Sequence, residues 1–86
     1  MPKYTRAPAV SGKQVIRLLR KDEWILTGRT RHGVALAKHF GDRTKVTVIP
    51  DTKASLDDGT LAAILGVKQT GIGKKGLLDL LNKFGL

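Results

Sequence analysis

Gly41-Asp42-Arg43-Thr44-Lys45-Val46-Thr47-Val48-Ile49-Pro50 holds a turn, a strand and a stop in one unbroken run. Glycine supplies the positive φ that a hairpin turn needs, which assigns residues 41–43 to the turn. Residues 44–49 then alternate β-branched side chains with polar ones, the period of a strand with one buried face. Pro50 has no N–H to donate to a ladder, so the strand ends there. A strand that follows a hairpin turn pairs with the chain just before it. That chain, Gly33–Phe40, is the predicted second strand.

Further towards the N-terminus, Trp24-Ile25-Leu26-Thr27 is rich in β-formers and residues 28–31 form a polar break. Residues 24–49 therefore predict a three-stranded antiparallel meander. Ahead of it, Ser11 and Gln14 have capping-box spacing, in which hydroxyl and amide satisfy the orphan N–H groups of a helix start. Val15, Ile16, Leu18 and Leu19 fall on one helical arc, and Lys13, Arg17, Arg20 and Lys21 on the other. A helix over 11–22 with a basic outer stripe follows. After the meander, residues 51–55 read as a loop. Asp57, Asp58 and Thr60 offer N-caps to a helix whose apolar side is Leu61, Ile64 and Leu65, ended by Gly66. Gly71, Gly73 and Gly76 weaken the next stretch, which reads as a flexible connection carrying Lys74 and Lys75. Leu77, Leu80, Leu81 and Phe84 then recur at the spacing of one helix face. The expected class is α+β, in the order α-β-β-β-α(α), with a three-stranded antiparallel sheet backed by helices.

The chain has 86 residues, enough for one domain with a modest core and a stability of roughly 5 kcal/mol. Residues 1–10 contain Pro2, Lys3, Arg6 and Pro8 without a continuous apolar run. They read as a flexible leader, neither a secretory signal nor a membrane span, and residues 11–86 as the single domain. With no cysteine, disulfides and Cys-based zinc sites are excluded. The default compartment is the cytoplasm.

Charge is the strongest compositional signal. Sixteen Lys and Arg oppose seven Asp and Glu, a net of +9. So large an excess on a small chain costs self-repulsion and points to a polyanionic partner. Nucleic acid comes first, an anionic membrane second and an acidic protein third. Tyr4, Trp24, Phe40 and Phe84 are too few aromatics for a binder built on stacked bases.

The acids Asp22, Glu23, Asp42, Asp51, Asp57, Asp58 and Asp79 are scattered, mostly at helix ends and turns. No pair is spaced to converge on a hard cation, so no metal and no other cofactor is expected. Gly71-Ile72-Gly73-Lys74-Lys75-Gly76 lacks the spacing, the following Ser or Thr and the preceding strand of a P-loop. Two histidines remain. His39 lies beside a turn and needs no function to explain it. His32 opens the second strand inside Thr27-Gly28-Arg29-Thr30-Arg31-His32-Gly33. Histidine is the residue type that exchanges protons near neutral pH, and Arg29 and Arg31 are placed to hold a phosphate and stabilise charge on its oxygens. A proton acceptor beside phosphate-binding cations suffices for metal-free RNA cleavage, in which the substrate's own 2′-OH attacks the adjacent phosphorus. Lys13, Arg17 and Lys38 are read as a diffuse docking surface for RNA. On residue spacing alone, a lone histidine beside arginines is more often a plain polar hairpin residue than a catalytic one.

Several blocks in order resemble one family: Ser11-Gly12-Lys13-Gln14-Val15-Ile16-Arg17-Leu18-Leu19, then Trp24, then Arg29-Thr30-Arg31-His32, then Val46-Thr47-Val48-Ile49-Pro50, then Leu56-Asp57-Asp58-Gly59-Thr60-Leu61-Ala62-Ala63-Ile64-Leu65. Together they resemble the HicA toxins, the mRNA interferases of HicA–HicB toxin–antitoxin modules, from about Ser11 to Leu81. The resemblance implies a fold like that of double-stranded-RNA-binding domains, metal-independent cleavage of mRNA and a HicB-like antitoxin that covers the histidine face. His32 matches the family's functional histidine. Around it, Thr30 stands where the family usually has Gly, Arg31 where it has Ser or Thr, and Gly33 where a second His is common. The rivals are a non-catalytic RNA-binding module of the same fold and an interaction protein whose basic face serves only its partner.

Overall fold

Ser11 starts the first element in the way its spacing predicts. Its Oγ accepts the Gln14 N–H at 3.1 Å, and Gln14 Oε1 accepts the Ser11 N–H at 2.8 Å. The computed structural model describes residues 8–85 and contains α1 (Gly12–Lys21), β1 (Ile25–Thr30), β2 (Gly33–Phe40), β3 (Arg43–Ile49), α2 (Asp58–Leu65) and α3 (Gly73–Phe84). It is a small α+β protein with a three-stranded antiparallel sheet, ordered β1-β2-β3, and three helices.

The first helix ends without a glycine. Trp24 N–H donates to Leu19 O and Glu23 N–H to Arg20 O, a Schellman closure that puts Glu23 at φ 72°. It also brings Trp24 down beside Leu19, and both are buried. Asp57 caps α2 by accepting the Thr60 N–H at 3.1 Å.

One layer of helices covers one side of the sheet. Val34 and Leu36 of β2 and Ile49 of β3 meet Val15, Leu18 and Leu19 of α1, Ile64 and Leu65 of α2, and Leu77, Leu80 and Leu81 of α3 in a single core. The apolar arcs read from the sequence are thus the buried ones, with Ile16, Leu61 and Phe84 packed at the core's margin. Among the described residues, nothing covers the other side of the sheet. Ile25, Ala37 and Val46 pair across its three strands, and Ile25 and Val46 stay 63% and 50% exposed.

The structure departs from the sequence reading in three places. Residues 28–31 are not a break: β1 runs on to Thr30, with a bulge between Leu26 and Gly28, and only Arg31 and His32 make the turn. Polar side chains are no obstacle on an edge strand, because its backbone pairs whatever its side chains contact. Residues 71–76 are not merely a connection, since α3 starts at Gly73. Gly76 is needed there because a Cβ at that position would press on the Ile72 side chain at 2.6 Å. Finally, the expected leader reaches too far. Val10 is buried in the core, and its carbonyl accepts the Leu56 N–H at 2.8 Å. The remainder of that leader, residues 1–7, lies outside the described residues. Among the described residues, no helix is long and apolar enough to cross a membrane.

Candidate active site

The β1–β2 turn is held by Thr30. Its Oγ1 accepts the His32 N–H at 3.1 Å and donates to the Gly33 carbonyl at 3.3 Å, a hydroxyl-closed turn that leaves the His32 side chain exposed at the tip. His32 is therefore a turn residue, one position before the strand it was expected to open. Gly33 follows at φ 144°, and a Cβ there would collide with the Ile49 carbonyl. Glycine is the residue this geometry requires.

A second segment folds up against this turn. Thr52 N–H donates to Pro50 O at 3.0 Å, closing a three-residue turn with Asp51 at its apex. Asp51 is not among the positive-φ residues, so this is the inverse γ-turn common at strand ends. The first turn of α1 docks on the same segment: Lys13 N–H donates to Thr52 O at 3.0 Å, and Gly12 lies so near the Pro50 carbonyl that a Cβ would overlap it. Residues 29–33 and 50–52 thereby line one shallow cleft of about 370 Å³.

Electrostatics in the cleft centre on Asp51. Lys13 Nζ lies 2.8 Å from Oδ1 and Arg29 Nη1 2.8 Å from Oδ2, so one carboxylate ties α1 to β1. Lys13 first and Arg29 second, by hydrogen bonding to the ionised form, hold the Asp51 carboxyl below its ordinary value of 3.8. It stays a fixed anion at neutral pH. Among the described residues, Arg31 enters no ion pair or hydrogen bond and stands beside His32 in the same cleft.

The expected docking residues divide. Lys13 and Arg17 lie on the exposed side of α1, where they line a shallow groove with Ile16, Arg20 and Lys21. Lys38 does not join them. It shares strand parity with Val34 and Leu36 and so turns to the helix side, where Nζ donates to the Asp22 carbonyl at 2.9 Å and lies 3.4 Å from its carboxylate. With its side chain only 22% exposed, Lys38 fastens β2 to the end of α1 and is removed from the docking surface. His39 sits near the opposite end of β2, its Nδ1 paired with Thr44 Oγ1 at 2.8 Å.

Two residues of the cleft escape a reading of the sequence. Thr30 was detectable, because a hydroxyl two residues before a turn N–H is a known local closure. Asp51 was not, because its partners are 38 and 22 residues away. No three His, Cys, Asp or Glu side chains cluster as metal ligands among the described residues. Comparison with protein-family models, curated proteins and solved structures returns no match.

Proposed function

We propose that this chain is an endoribonuclease that cuts RNA without a metal ion, of the HicA toxin kind that its sequence resembles. The observation that carries the reading is one cleft holding an exposed histidine, Arg29 and, among the described residues, an unpaired Arg31, with Asp51 of the same cleft bound to Lys13 on the basic side of α1. The cleft's one carboxylate among the described residues is engaged by two cations, which is a poor arrangement for a divalent ion.

In the proposed reaction His32 takes the proton of a 2′-OH whose oxygen attacks the adjacent phosphorus. The 2′-O–P bond forms and the P–O5′ bond breaks, leaving a 2′,3′-cyclic phosphate and a 5′-hydroxyl whose proton comes from water. Arg31 and Arg29 would face the charge that builds on the non-bridging oxygens. The order helix, three-strand meander, helices supports a fold of the double-stranded-RNA-binding kind, and the net charge of +9 suits both RNA and masking by an acidic, HicB-like antitoxin.

A second reading has its own observation. Among the described residues the ring of His32 has no hydrogen-bond partner to orient it, as a binding module without catalysis would allow. Turnover separates the two. Cleavage should persist in excess EDTA and leave cyclic-phosphate ends. His32→Ala should slow it about 10²–10⁴-fold with RNA affinity and melting temperature nearly unchanged, while His39→Ala cleaves at the parent rate. Activity that vanishes with EDTA and returns with magnesium, or equal losses in the two variants, would overturn the mechanism. RNA binding without any turnover would leave the binding module.

A further inference from the structure

Asp51 is an acid held between two cations of a basic protein, and its surroundings are those of a ligand. Each of its oxygens meets a different cation at 2.8 Å, one from α1 and one from β1. The non-bridging oxygens of a phosphodiester are spaced almost as the two oxygens of a carboxylate, so a pair of cations set for one accepts the other. The arrangement is also open. Lys13 is 48% exposed, Arg29 71% and the carboxylate itself 27%, so an anion can arrive from solvent without unpacking the core. Exposed ion pairs of this kind are weak and yield to a competing anion.

We propose that Asp51 is an internal stand-in for a substrate phosphate: its carboxylate occupies, in the free protein, the place between Lys13 and Arg29 that an RNA phosphodiester takes over. The inverse γ-turn sets the carboxylate at the apex of the 50–52 segment, free of any strand ladder, so it can withdraw while Thr52 stays bonded to Lys13. Arg31, without a partner in the same cleft, then supplies a third cation to the incoming phosphate. Asp51 thereby keeps the cations from capturing stray anions and limits affinity for RNA. The proposal rests on the RNA reading, and it makes Asp51 a specificity-determining residue of that cleft.

The test uses an oligonucleotide made uncleavable by 2′-O-methylation, with affinity measured by anisotropy over a range of salt concentrations. Asp51→Asn should bind about five-fold tighter than the parent, because phosphate no longer displaces a charged competitor. Its plot of log affinity against log salt should be steeper by about one, since no released carboxylate has to recapture a cation. Asp51→Glu, which keeps the charge, should stay near the parent. In a Lys13→Ala, Arg29→Ala background, Asp51→Asn should bring much less gain. A merely structural Asp51 gives the opposite sign in the binding assay: Asp51→Asn would bind more weakly. Weaker or equal binding by a folded Asp51→Asn overturns the proposal and leaves the RNA reading standing. No RNA binding by parent or variant overturns both.

Discussion

Two single residues carry backbone conformations that side chains resist, and they predict opposite outcomes. Glu23 closes α1 at φ 72°, a left-handed position that costs a non-glycine residue about 1 kcal/mol. Glu23→Gly should therefore raise stability by roughly 0.5–1 kcal/mol in urea unfolding, and a loss would show that the Glu23 side chain does something the closure does not need. Gly33 holds φ 144° with the Ile49 carbonyl where a Cβ would stand. Gly33→Ala should cost about 3 kcal/mol or more, much of what a domain of this size has. Neither constraint is visible as a local pattern. Glu23 has no glycine to mark the end of its helix, and the need for Gly33 comes from a strand sixteen residues further on in the register Val34↔Ile49. Lys38 could have been read correctly: its parity with Val34 and Leu36 puts it on the helix side, whereas its charge alone led to its expected place on the docking surface.

Among the elements, the helices were the easiest to read because their signals are local. Capping spacing and an apolar arc fall within one or two turns, and α1 begins where Ser11 and Gln14 say it should. Ser11→Ala should cost about 1 kcal/mol by removing one half of that reciprocal cap. Strand ends were harder. Where β1 stops is decided by its pairing Arg29↔Val34 and Thr30↔Gly33, which no residue of β1 announces. The candidate site suffered most, because α1, β1 and the 50–52 segment meet only in the folded chain. Two variants separate a docking element from a fastening one. Replacing Lys13 and Arg17 together should weaken RNA binding similarly across sequences and flatten its salt slope by between about one and two, at small cost in melting temperature. Lys38→Ala should do the reverse, leaving the slope alone and costing about 1 kcal/mol of stability as the Asp22 carbonyl loses its charged donor.

At the scale of the molecule, two depressed carboxyls set how it meets acid. Asp51 is held down by Lys13 and Arg29, and Asp57 by the Thr60 hydroxyl and then its backbone N–H, both below the ordinary value of 3.8. A carboxyl that is more acidic in the folded chain than in the unfolded one stabilises fully above its unfolded value. That contribution fades as pH falls through the lower folded value. Melting temperature should therefore drop below about pH 4, and an Asp51→Asn, Asp57→Asn variant should melt lower than the parent at pH 6, the gap narrowing as pH falls below the ordinary carboxyl value. Parallel curves would assign the acid sensitivity elsewhere. The exposed side of the sheet has a different consequence, and it is colloidal. Ile25, Ala37 and Val46 form an uncharged apolar row on a body of net charge +9, so long-range repulsion opposes the meeting of two such rows. That repulsion reaches about 10 Å at 0.1 M salt and about 3 Å at 1 M. Concentrated brine should cloud a solution that dilute buffer keeps clear, and a lysine in place of Val46 should keep it clear in both.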